Sequence, residues 1–393
     1  MEFQSYDDFC ETKTLGEILH NKYIFEIKDV SKYYRIGDDV SITMATTGGT
    51  GVNCMALKQK IQSEMKTPFN TTEEMKVTDN KDGTCSLTYQ AKVEGVHELT
   101  VLVNNKSVQG SPVKINVIPK KGLVGNYGGS RFSQFNYSES VLITSEGNVL
   151  VCESGNKLLQ LLTLDGKHKR MIQFTGFNKP FCPHCAAESQ DGNYFITDDD
   201  NKQVVVCNNN FELIRCFGSG KLTSPRGISI SPVNGRVYVV DMSSHCIRIY
   251  NQDGGYINSF GSQGDGDCQF HYPWGITTDS KGNLIVADSW NHRIQVLTGE
   301  GEFLFKFGSR GNSDGQLQYP LGVATDTDGY VYVSENGNKR VLKYDSHGQF
   351  VCRIDSPADG LWFPHGICVT NDKPFGKVVV ADKGNHCIKI FAQ

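Results

Sequence analysis

The 393-residue chain lacks several features that would settle its class at once. No run approaches the ~18 consecutive apolar residues that carry a helix across a bilayer. The start, MEFQSYDDFCETK, has neither the basic opening nor the apolar stretch of a secretory signal. Charge of one sign is missing too. With 39 basic and 43 acidic residues the net charge is −4, so no whole-molecule field argues for nucleic acid or a membrane surface. The thirteen cysteines are odd in number and scattered, mostly inside apolar runs such as TCSLTY and HCIKIF. Free cysteine there behaves as a small hydrophobe. Together these absences predict a cytoplasmic chain with reduced thiols, no membrane partner and no DNA partner.

What is present is strand and turn. Glycine is abundant, at 41 residues, and β-branched and aromatic residues fill short runs, a mix that predicts many short strands joined by tight turns. From residue 122 one phrase recurs. Its clearest copy is YPWGITTDSKGNLIVADSWNHRIQVL, 272–297. Others begin SPRGISIS, YPLGVATD and FPHGICVT. An acid closes the second strand of every copy: Glu153, Asp198, Asp241, Asp288, Glu335 and Asp382. A period of ~40–50 residues with four strands per unit is the mark of a β-propeller blade, and six copies predict six blades. The last copy stops after its third strand, at HCIKIFAQ. The segment near Leu123–Tyr127 is therefore expected to supply the missing outer strand and remove a free edge.

Residues 21–118 read differently. Alternating runs such as YIFEIKD, DVSITMAT and HELTVLV predict a β-sandwich of immunoglobulin type without the Cys…Trp…Cys core. The expected organisation is all-β: a tail over 1–20, the sandwich over 21–119, and a six-bladed propeller over 122–393. The short junction implies domains that dock or sit at a limited angle.

The stretch VTDNKDGTCSLTYQAKVEGVHELTVLVNNKSVQGSPVKINV, 77–117, resembles a filamin repeat. The D-x-x-N-H-R-I-Q-V and P-x-G-I phrases resemble NHL repeats. That domain order is similar to the C-terminal half of TRIM-NHL (tripartite motif) proteins. The resemblance implies a non-catalytic recognition module, whose propeller recruits messenger RNA in some members and protein partners in others. A full-length family parent would be a RING-type ubiquitin ligase. No C-x-x-C…C-x-H series or heptad segment precedes the filamin-like stretch, so ligase activity is not expected of these residues.

The P-x-G and D-x-x-N-H turns fall on one rim of the propeller, which is the expected binding face. Four residues after each acid stands a cation or histidine: Lys157, Lys202, His245, His292, Lys339 and His386. These are either a basic crown or metal-holding ring, or, as the stronger expectation, within-blade acid–base pairs that order the turn. Recognition is expected where the copies differ. The middle residue of P-x-G is Glu139, His184, Arg226, Trp274, Leu321 and His365 in blades one to six. Blade four is richest, with Tyr272 and Trp274 from one loop and Trp290 and Arg293 from the other. Arg226 and His245 lie on blade three, Tyr319 and Arg340 on blade five. Tyr, Trp and Arg dominate protein-interface hot spots, and they also stack on unpaired bases.

Three functions compete. A protein partner or ubiquitination substrate is the first expectation. Recognition of single-stranded or hairpin RNA by Arg226, Arg293 and Arg340, for repression of messenger RNA, is the second; the 24 basic and 27 acidic residues from 122 onward lean away from it. A zinc-dependent propeller lyase is the third and weakest. Cys182-Pro183-His184-Cys185 looks like half a metal site, but it aligns without a gap on Tyr272-Pro273-Trp274-Gly275. Structural zinc needs four ligands and no second pair is offered. No cofactor is expected.

Overall fold

A computed structural model of the chain describes residues 25–28, 30, 33–46, 61–68, 70–82, 84–93, 95–118, 122–128, 135–372 and 376–393. The expected tail over 1–20 and most of the junction between the domains lie outside the described residues. The chain divides into two compact units, Met1–Lys120 and Lys121–Gln393. Among the described residues the only helices are three-residue 3-10 turns, and none is long and apolar enough to cross a membrane.

The first unit is a sandwich of two sheets. One pairs Asp39–Thr46 with Phe25–Lys28 and Thr84–Gln90, and Lys76–Asp79 lies at its far edge. The other is built around Gly95–Val103, flanked by Ile61–Lys66 and Val113–Ile118. Burial alternates along Gly95–Val103, so that Leu99, Val101 and Val103 face inward. They meet Val40, Ile42, Met44 and Leu87 in one core, as the period-2 pattern requires.

The second unit holds six four-stranded antiparallel sheets. Their first strands are Ser138–Ile143, Pro183–Glu188, Pro225–Ile230, Pro273–Thr278, Pro320–Thr325 and Pro364–Val369. In blade four the order runs Pro273–Thr278, Leu284–Asp288, Arg293–Leu297, Phe303–Phe307. Every residue of Leu284–Asp288 is buried. The second strand therefore reads as an unbroken apolar run ending in one acid, because neighbouring blades cover both of its faces. Blade six is closed from the front of the unit. Gly122–Gly128 pairs antiparallel with Cys387–Ala392, in register Leu123 to Phe391 and Tyr127 to Ile388.

The glycine of P-x-G has a steric reason. A Cβ on Gly227, Gly275 or Gly322 would run into the backbone of the next blade's first strand, where the six strands converge on the axis. Blade two carries Cys185 at this point and blade one Ser140, their Sγ and Oγ 3.4 Å apart.

Candidate binding rim

Pro273 pairs with Asp288, and Asp288 with Arg293. The starts of first strands and the ends of second strands thus share one rim, and the recurring acid sits just beneath it. All six acids are fully buried. Each accepts a backbone N–H from the segment ahead of its blade's first strand: Asn136, Cys182, Ser224, His271, Gln318 and Trp362 donate at 2.5–3.0 Å. A buried carboxylate is tolerable only when its lone pairs are filled in this way. Burial nevertheless pushes the Glu153 and Glu335 carboxyls upward.

Arg293 and Arg340 belong to this brace. Arg293 Nε donates to Asp288 at 2.8 Å, and its other nitrogens donate to the carbonyls of Asp265, Gly266 and Gln269. Arg340 repeats the arrangement on Glu335 and the carbonyls of Asn312, Ser313 and Gln316. Their side chains are only 9% and 7% exposed. Both guanidinium groups are spent on holding the loop that enters the blade, and neither joins the exposed rim.

The register position four residues past each acid also has a different job from the expected one. All six residues have left-handed backbone, φ 50–58°. His245 and His292 do not pair with their own acid. Each accepts the backbone N–H of the next blade, from Tyr272 and Tyr319, on Nδ1 at 3.1 Å. Their rings pack edge-on to those tyrosines at 4.7 and 4.6 Å. Lys157 likewise reaches Asp200 of blade two at 2.8 Å. The within-blade pairing is corrected to a mostly inter-blade clasp; Lys202, on Asp199 of its own turn, keeps the local form. A histidine accepting an N–H must be neutral at that nitrogen, and burial lowers the pKa of both, with Arg310 adding to the effect on His292.

The middle residues of P-x-G point to the axis, not outward. Glu139, His184, Arg226, Trp274 and Leu321 line one small cavity of about 50 Å³, enough for a few waters. Glu139 receives Lys383 Nζ at 2.7 Å and Ser154 Oγ at 2.6 Å. His365 Nδ1 lies 3.1 Å from its Oε2, in ion-pair range but not aligned as a hydrogen bond. Arg226 pairs with Asp199 at 2.9 Å and lies over the Trp274 ring at 5.1 Å. Trp274 also meets His184 and His365 edge-on. Burial, then Arg226, pushes His184 down to about 4, and burial lowers His365 as well. Burial pushes the Glu139 carboxyl up, but His365, His184 and Lys383 outweigh it and hold the group well below the usual carboxylate range. Among the described residues no group of histidine, cysteine and acid side chains is arranged to hold a metal. Cys182-Pro183-His184-Cys185 forms a P-x-G-type turn with Cys182 buried, and the described cysteines are free thiols.

Of the ten candidates, Tyr272, Trp290 and Tyr319 remain together on the open rim, with His245 clasping beneath Tyr272. Trp290 is 54% exposed and lies 5.3 Å from Tyr272, 5.9 Å from Tyr319 and 5.4 Å from His271 between ring centroids. The row extends to residues not singled out by sequence: exposed Trp362 and Phe363 ahead of blade six, and Tyr137 ahead of blade one. The signal was available. Tyr137, Tyr272, Tyr319 and Phe363 all stand just before the first strand, all with φ of 48–57°.

Comparison with known proteins agrees with this architecture. The Filamin/ABP280 repeat model matches residues 14–114, and the NHL repeat model matches 222–250, 270–297, 317–344 and 361–391. The chain carries a filamin repeat and NHL repeats. The NHL matches fall on blades three to six; blades one and two complete the ring in the structure. The filamin–NHL chain is 31% identical over 225 residues to tripartite motif-containing protein 2 of Bos taurus, covering 57% of this chain and 25% of that protein. It is 32% identical over 134 residues to the protein brain tumor of Drosophila melanogaster, covering 33% of this chain and 13% of the relative. It thus spans a quarter or less of these relatives' length. In fold it is similar to an auxiliary nutrient binding protein from Bacteroides ovatus, with a TM-score of 0.58, 10% identity, and coverage of 95% of this chain and 99% of that one.

Proposed function

We propose that the NHL propeller recruits a protein partner, in a parent ligase a ubiquitination substrate, through the aromatic row on its open rim. The observation that carries this reading is an exposed Trp290 packed between half-buried Tyr272 and Tyr319, with exposed Trp362, Phe363 and Tyr137 ahead of the two blades that follow round the ring. Large apolar side chains standing on turns in water mark contact surfaces. The same rings would stack on bases, which keeps RNA as the second reading. Phosphate contact needs available cations, however, and the three arginines on which that reading depended are engaged. Arg293 and Arg340 are buried in braces and Arg226 is paired with Asp199.

The test is capture from nuclease-treated extract on the intact chain and on Trp290→Ala and Trp362→Ala variants. The reading expects specific proteins retained after nuclease treatment and lost from both variants. Retention that disappears with nuclease, or that ignores both substitutions, overturns it.

A further inference from the structure

We propose that the Trp290 site on blade four takes an arginine side chain of the protein partner, its guanidinium lying on the indole between Tyr272 and Tyr319. The proposal rests on the protein-partner reading above and specifies its chemistry.

Trp290 occupies a position that blade construction does not need to fill. Two residues past the acid, blades one, five and six carry Gly155, Gly337 and Gly384. There a Cβ would collide with Asn136, Gln318 and Trp362, the residues folded over those glycines. In blade four the equivalent residue, His271, instead stands beside an outward indole at 5.4 Å. The indole is walled by two tyrosines tilted against it by 54° and 71°. It is more than half exposed, so the blade gains little burial from it.

The protein itself shows what such rings attract. Arg226 lies over Trp274 at 5.1 Å, Lys339 Nζ over Trp362 at 3.2 Å, and Lys383 Nζ over Tyr137 at 5.2 Å. Trp290 is the remaining tryptophan, and no cation of the described residues lies over its ring. Charge agrees. Asn291 anchors the Gly264 carbonyl and Arg293 the Asp265 carbonyl, which holds the exposed Asp265 carboxylate on the loop next to this turn. Asp314 is exposed on the matching loop of blade five, where Arg310 is exposed as well and the buried Arg340 is already committed to Glu335 and the loop carbonyls. A planar guanidinium stacks on an indole better than an ammonium does and is less strongly hydrated, so arginine is the fitting cation.

The test titrates the intact chain with a short arginine–glycine peptide, its citrulline–glycine counterpart, and a single-stranded RNA oligonucleotide, reading tryptophan fluorescence and direct binding. Citrulline keeps the shape and removes the charge. The arginine peptide is expected to bind about 5- to 20-fold more tightly than the citrulline peptide. Trp290→Ala should erase that difference, while Trp290→Phe should keep part of it. Equal binding of the two peptides, an unchanged preference in Trp290→Ala, or preference for the RNA overturns the proposal. If the arginine preference is absent but nuclease-resistant capture still depends on Trp290, only this proposal fails. If capture is also independent of Trp290, the rim reading fails with it.

Discussion

Blades two and four are built on the same register and use it in opposite ways. Blade two fills its turns with polar groups that pair with one another: Asp199 holds Arg226 and Lys202 with His184 nearby on the axis, and Asp200 holds Lys157. Blade four buries its charges in the Asp288–Arg293 brace and leaves Trp290 exposed against a half-buried Tyr272. Trp290 and Arg293 are three residues apart in one turn, yet one contacts solvent and the other the scaffold. A repeated framework therefore sorts variable residues by direction, and chemical type alone does not say which of them meet a ligand.

The sharpest way to break this contrast is to truncate both members of the blade-four turn. Arg293→Ala should cost roughly 3–5 kcal/mol in urea unfolding, because it strands buried Asp288 and three loop carbonyls. Trp290→Ala should cost about 1 kcal/mol or less. Equal costs would remove the distinction between brace and rim.

The histidines of the axial cluster and of the inter-blade clasps predict acid lability. His184, His365, His245 and His292 all have folded pKa values depressed below the ordinary 6.5. Their contribution is full above that value and is lost as pH falls below it, down to about 4 for His184. For His184 alone the loss approaches about 3 kcal/mol. Unfolding midpoints measured between pH 7.5 and 4.5 should fall steadily, and His184→Asn should flatten the slope. A smaller effect, about 1–3 kcal/mol, is expected for Glu139→Gln, which weakens the ion pair to Lys383 and the contact with His365.

The ring, its six acids and its closure by Leu123–Tyr127 were legible in the sequence, because a repeat states the same packing solution six times. The sandwich of the first unit was legible from period-2 alternation, and its filamin character from the resemblance carried by residues 77–117. What periodicity could not convey was side-chain direction around the rim. Arg226, Trp274 and His365 looked like contact residues because they vary, but converging first strands turn that position to the axis. Arg340 and Arg293 looked like contact residues because arginine is common at interfaces. The Gly/Asp/Ser-rich loops folded over them supply carbonyls that no spacing rule reveals. Trp362 was missed because it lies outside both recurring phrases.

The central claim is that the open rim is an aromatic, protein-binding surface whose arginines are committed to the scaffold. The most direct measurement is retention of a randomised single-stranded RNA pool on the intact chain at ~50 mM salt, where phosphate contacts are strongest. The account predicts no retention above a matched inert protein. Retention that weakens steeply with added salt and disappears in Trp290→Ala would contradict it.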